Sequence, residues 1–181
     1  GKIELEEDAS NLAIVLNHIL AEPGKQTSFI NLKKYLLPFV EDLKVDYLAD
    51  KSLLFRLREA YFPDVFLPAS LLSDGTVSLA ALIVALYMEN RPLVAIEEPD
   101  RSIHPHLISR VVEMMKEASE HKQVIVTTHN SEMVRHVRLD ALLLVTRDKD
   151  GFSVVSRPAE MEQVRIFLAH DMGVADLYVD N

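Results

Sequence analysis

Two short apolar runs, at residues 93–96 ("LVAI") and 123–128 ("QVIVTT"), flank a stretch whose apolar residues recur at helical spacing. This strand–helix–strand pattern constrains the chain more than any other feature. In the intervening stretch Leu107, Ile108, Val111, Val112, Met114, Met115 and Ala118 fall on one face of a helix. Core strands joined by a helical crossover predict a parallel sheet covered by helices, hence an α/β fold. A third apolar run, "ALLLVTR", is followed by the turn residues "DKDG" and the alternating "FSVVSR", which predicts a hairpin. In sheets of this kind ligands gather at the carboxyl ends of the strands. Two polar clusters stand at such ends: Glu97-Glu98 after the first run and Thr127-Thr128-His129 after the second.

The rest of the chain reads as mixed. "IELEE" is expected to form a short strand. A helix is expected over "NLAIVLNHILAE", capped by Asp8 or Ser10 and ended by Pro23-Gly24, with a second helix over residues 28–40. "LKVDYLA" and "SLLFRLREAYF" are expected strands. "VSLAALIVALYMEN" is apolar almost all round, as a helix buried on several sides would be. "SEMVRHV" predicts a short helix with Ser131 as a possible cap, and "AEMEQVRIFLAHDM" a last helix. The change of pattern near Pro68 divides the chain into a helical and β segment, 1–67, and an α/β segment, 68–181, within one domain.

Composition excludes several classes. The chain has no cysteine, so a disulfide framework and a thiolate metal site are ruled out. Its formal charge of −9 opposes binding of the chain as a whole to nucleic acid or an anionic membrane. No apolar run approaches the roughly 20 residues that span a bilayer, and the start shows no signal-peptide pattern. A cytoplasmic location is the expectation.

Three motifs follow one another in the second segment. In "LLSDGT", Ser73 supplies a hydroxyl, Gly75 permits close backbone approach, and the following helix start is suited to an anion. An ordinary helix cap reads the same way. In "LVAIEEPD", an apolar strand runs into two carboxylates, which suits a magnesium–phosphate site in which one carboxylate orients the metal's water shell and the next polarises a water. Two solvated loop glutamates would also fit. In "VIVTTHN", His129 lies just past a core strand, where a structural histidine is the commoner occupant.

Taken in this order, the motifs resemble the C-terminal half of an ABC-type ATPase head of the RecF/SMC-like branch of AAA ATPases. "LLSDGT" is similar to the signature motif, "LVAIEEP" to Walker B with its catalytic glutamate, "DRSIHP" to the D-loop with Asp100, Arg101 and Ser102, and "VIVTTHN" to the switch histidine. The matching block runs from residue 67 to about residue 135, with weaker likeness at "DASNLAIVLNHI" and "LAHDMGVADLYVDN". The resemblance implies a P-loop-NTPase-like C-terminal lobe that uses ATP and Mg2+. It implies that Glu97 orients the metal, that Glu98 is the general base, and that His129 senses the γ-phosphate. Ser73 and Gly75 would cap the phosphate of a partner head's nucleotide. The implied partners are an N-terminal ATPase lobe, a second head in a homodimer, and DNA or a protein, with no membrane.

The chain departs from the pattern at three places. Glu97 stands where Asp is usual, and Asp74 replaces the first glycine of the commoner Ser-Gly-Gly form. The phosphate loop G-x-x-x-x-G-K-[ST] does not occur: Gly1-Lys2 precedes Ile3 and Gly24-Lys25 precedes Gln26. The expectation is therefore an ATPase lobe lacking its Walker A half. Two rivals stand beside it. One is a metal-dependent nuclease or hydrolase using Glu97, Glu98, Asp100 and His104. The other is a non-catalytic interaction module derived from an ATPase head.

Overall fold

The computed structural model describes residues 4–161. They form two compact units that meet in the chain at Thr127–Thr128. The division differs from the change of sequence pattern near residue 68, because the first segment packs into the second. Helix α2 (Pro23–Leu36) lies against α3 (Asp74–Ile83) and α4 (Pro105–Ala118). The Tyr35 hydroxyl donates to Glu113 at 2.5 Å, and Arg110 donates to the Tyr35 carbonyl at 2.9 Å.

In the first unit, α1 (Leu12–Ala21) and α2 precede an antiparallel sheet of β1 (Val40–Tyr47), β2 (Leu53–Glu59) and the short β3 (Leu67–Pro68). Lys33 fixes the passage from α2 to β1. It is 2% exposed, and its ammonium donates to the carbonyls of Val40 and Glu41. Burial pushes its pKa down. The apolar faces of α1, α2 and β2 meet in a core that includes Leu16, Phe29, Leu36 and Leu57.

The α/β part follows. Helix α3 is buried along most of its length and continues into a π-helical turn, Val84–Met88. The wide apolar surface of this stretch accounts for its burial. The amino group of Lys122 donates to the carbonyls of Ala85 and Glu89 and so satisfies the end of that turn. Strand β4 (Leu93–Glu97) pairs in parallel with β5 (Gln123–Thr127), and α4 is the crossover between them. The apolar stripe of α4 is buried, with Ile108, Val111, Val112 and Met115 in the core. The expected parallel α/β pairing is thus present, beside an antiparallel sheet. Among the described residues no helix is long and apolar enough to cross a membrane.

The second described unit begins at Thr128. It contains α5 (Ser131–Arg135) and a hairpin of β6 (Leu144–Arg147) with β7 (Ser153–Ser156), turned at Gly151 with φ +87°. The hairpin expected from "DKDG" is therefore formed. The helix expected over "AEMEQVRIFLAHDM" lies almost wholly outside the described residues; its first residues form a 3-10 turn, Pro158–Glu160.

Local expectations are corrected at four points. Residues 4–6 are not a strand: the Leu5 amide donates to the Glu89 carboxylate and the Glu6 amide to Asn11, so side chains take the bonds a neighbouring strand would. Neither Asp8 nor Ser10 caps α1. Asp8 accepts the Ser10 amide in its own turn, Ser10 donates to Glu6, and the helix follows Asn11 without a side-chain cap. Pro23 starts α2 as well as ending α1, since a first-turn proline has no amide to leave unpaired. Asn130, not Ser131, caps α5, accepting the Glu132 amide at 2.9 Å.

Candidate functional site

The two carboxylates occupy the carboxyl end of β4. Along this strand Val94 is buried and Leu93, Ala95 and Glu97 are exposed, as the alternation of a strand covered on one face requires. Glu97 is the last register partner of Thr127. At Glu98 the backbone turns to φ +45°, left-handed for a non-glycine residue, and the strand ends. The Glu98 amide still donates to the Thr127 carbonyl at 2.9 Å, so the turn begins while the chain is tied to β5. The result is a concavity lined by Glu97, Glu98, Arg101 and Thr127.

The loop after Glu98 is tightly folded. The Arg101 amide donates to the Glu98 carbonyl at 2.9 Å and the Ile103 amide to the Asp100 carbonyl at 3.1 Å. Pro99 and Ile103 are buried, while Arg101 and Ser102 are exposed. Ser102 is again left-handed, with φ +62°. His104 then caps α4: its Nδ1 accepts the His106 amide at 3.4 Å, and the two imidazoles stack with centroids 5.0 Å apart.

Ser73 is the N-cap of α3. Its hydroxyl oxygen accepts the Thr76 amide at 3.2 Å and lies 2.8 Å from the Thr76 hydroxyl. Asp74 is exposed in the first turn, where a carboxylate complements the helix dipole. Gly75 is buried. Its missing side chain leaves space that is filled from within the chain, by the carbonyl of Ser102.

In the second unit His129 is exposed, in the short loop that follows β5 and leads to Asn130. The Asn130 amide donates to the Thr128 hydroxyl at 3.0 Å.

The donor chemistry around Glu97 and Glu98 fits one kind of metal site and not another. Among the described residues no three of His, Asp and Glu gather as a metal cage. The nuclease-type set of Glu97, Glu98, Asp100 and His104 is thus not assembled, since His104 is taken up at the start of α4. One or two carboxylates beside an open concavity do suit Mg2+, which keeps several waters and takes its remaining ligands from phosphate.

Ser73 lies at a helix start, Glu97 and Glu98 at the end of a core strand and Arg101 in the loop after them, which are the positions in the fold that the sequence pattern implies. Thr127 belongs to the polar cluster that the sequence places at the end of the second strand, but its register opposite Glu97, which brings it into the lining, requires the pairing to be known.

Comparison with known proteins gives a consistent picture. The model of the family described as "AAA domain, putative AbiEii toxin, Type IV TA system" matches residues 4–135. The uncharacterized protein MJECL43 of Methanocaldococcus jannaschii is 28% identical over 92 residues, which cover 47% of this chain and 24% of that protein. The chain therefore spans about a quarter of the curated relative it matches. Among solved structures, one described as "Structural biochemistry of ATP-driven dimerization and DNA stimulated activation of SMC ATPases" aligns with TM-score 0.60 and 19% identity, over 88% of this chain and 91% of its own. The Smc head domain with a coiled coil and joint from Pyrococcus yayanosii aligns with TM-score 0.58 and 20% identity, over 88% and 29%. An SmcHead bound to the C-winged helix domain of ScpA aligns with TM-score 0.60 and 20% identity, over 83% and 45%. At these identities the likeness is one of fold, that of SMC ATPase heads.

Proposed function

The chain belongs to this family of AAA domains, and from that premise we propose that it is the C-terminal lobe of an ATP-hydrolysing head that dimerises around ATP. The observation that carries the reading is the concavity at the carboxyl end of β4, where two successive glutamates are lined up with Thr127 and Arg101. Open parallel sheets bind their ligands at that end. The absence of a G-x-x-x-x-G-K-[ST] motif from the sequence supports a lobe that receives its phosphate loop from elsewhere.

On this reading the side chains divide the work. Glu97 would hold Mg2+ through its water shell, and the bound ion would neutralise charge on the phosphates. Glu98 would take the proton of a water as its oxygen attacks the γ-phosphorus and the bond to the leaving β-phosphate oxygen breaks. His129 would contact the γ-phosphate. Ser73 and the amides of the first turn of α3 would meet the nucleotide of the second head. DNA or a protein partner would act on the dimer from outside this site. SMC heads supply the analogy for dimerisation, which is one of fold.

The test is Glu98→Gln in the head completed by its phosphate-loop lobe. ATP binding should be kept and hydrolysis should fall by at least about 100-fold, the usual contribution of a positioned base. Sedimentation should then show an ATP-dependent dimer that persists. Wild-type turnover in this variant would remove Glu98 from the role.

A further inference from the structure

Gly75 is the second residue of α3. A Cβ built on it would overlap the carbonyl oxygen of Ser102 and stand 3.2 Å from that carbonyl carbon and 3.7 Å from the Cα of Ile103. The obstacle is backbone, so no flexible side chain can swing away. The Ser102 carbonyl is presented by a residue in the left-handed region, φ +62°. The same loop is tied at its other end by the Glu98 amide to the Thr127 carbonyl, and within itself by the Arg101 and Ile103 amides. Few degrees of freedom remain between the Gly75 contact and the Glu98 backbone.

We propose that Gly75 is a positioning residue for Glu98 of its own head. The absent side chain lets the Ser102 carbonyl seat on the first turn of α3, and this seat fixes the loop that begins at Glu98. The proposal rests on the reading of Glu98 as the group that activates water. It gives Gly75 an action within its own head, distinct from the contact with the partner's nucleotide that a signature glycine would make. It also joins Ser73 and the Glu98 loop into one mechanical piece. A nucleotide of the partner head that touches Ser73 would then be felt at the glutamate of the same head.

Mixed dimers separate the two actions. Completed heads carrying Gly75→Ala and Glu98→Gln are joined as a purified heterodimer with two affinity tags. One composite site then combines the intact Glu98 of the Gly75→Ala head with the intact α3 of its partner. The other site combines the Glu98→Gln substitution with the altered α3 and is dead. The reference is the heterodimer of wild type with Glu98→Gln. If Gly75 positions its own Glu98, kcat of the test dimer falls at least about 10-fold below the reference with KM for ATP little changed, a loss within what a positioned base contributes. If Gly75 acts only on the partner's nucleotide, the test dimer equals the reference and the proposal is overturned. Adding Ser102→Gly to the Gly75→Ala head should restore part of the lost kcat, because a glycine there lets the carbonyl move aside. A folded Gly75→Ala head with lowered ATP affinity and no such rescue would have lost more than the placement of Glu98, and that result overturns the proposal too. Should Gly75→Ala fail to fold, Ser102→Val, which disturbs the same seat from the loop side, takes its place in the same heterodimer with the same two outcomes. Wild-type hydrolysis by the Glu98→Gln homodimer is a separate result: it overturns the reading of Glu98 and, with it, this proposal.

Discussion

The amide of Glu98 donates to the carbonyl of Thr127 at 2.9 Å, one residue beyond the last register pair of β4 and β5. The candidate base is therefore held by the neighbouring strand, and the turn that shapes its surroundings starts from a fixed point.

The 181-residue chain alone should hydrolyse ATP at a rate indistinguishable from buffer. It has the carboxylates but no phosphate loop, whose amides and lysine carry most of the phosphate binding. A steady-state phosphate-release assay on the purified chain checks this. Turnover of ~1–10 per second that vanishes in Glu98→Gln would show that no essential part is missing.

Ser73→Arg in the completed head should leave the ATP affinity of a single head near that of the wild type and prevent ATP-dependent dimerisation. The hydroxyl caps α3, and its loss costs roughly 0.5–2 kcal/mol, which the burial of Leu79, Ile83 and Leu86 can absorb. The bulky cation would fill the place meant for a partner's phosphate. Sedimentation with and without ATP on a Glu98→Gln background gives the answer. Normal dimerisation would reduce "LLSDGT" to a helix cap.

Lys33→Met should destabilise the fold by about 1–3 kcal/mol, the usual penalty for a buried polar group left without its partner. The carbonyls of Val40 and Glu41 would lose their shared donor where α2 passes into β1. Urea unfolding of the chain measures it. An unchanged midpoint would mean that water replaces the ammonium at this turn.

Tyr87 makes alkaline stability a test of the helix packing. Its hydroxyl donates to the Met114 carbonyl at 3.0 Å and to Glu117 at 2.7 Å, and burial, then the Glu117 carboxylate, raises its pKa well above the ordinary value. A raised folded-state pKa means stability that is fully present below the unfolded value of about 10 and is lost as pH rises toward the folded value. Wild type should exceed Tyr87→Phe in stability at pH 8, and the gap should narrow by roughly 1 kcal/mol by about pH 11. A gap that stays constant with pH would show that the hydroxyl is not held protonated in the fold.

The α/β half was legible because its signals are local. An apolar run that ends in Glu97 and Glu98, a helical stripe from Leu107 to Ala118 and the turn around Gly151 can each be read within a few residues. In sequence Pro23-Gly24 marks a helix end, but the same proline also suits the first turn of the next helix, and local pattern does not say which use prevails. "IELEE" has strand-like residues, but its amides find Glu89 and Asn11, partners that only the fold brings near. Gly75 is the clearest limit. The residue type announces a close approach, but not that the approaching group is the carbonyl of Ser102 in a distant loop.

If Glu98 activates water as proposed, the left-handed backbone at Glu98 and Ser102 sets stability and activity against each other in one short loop. Glycine or asparagine would relieve the conformational strain at either position. A thermostability screen that never assays turnover would therefore enrich both replacements. At position 98 the gain would delete the carboxylate, and the protein would become sturdier and silent. At position 102 the carbonyl that meets Gly75 belongs to the backbone and survives the change, so the same screen would find there a substitution that tempers the loop without removing its chemistry.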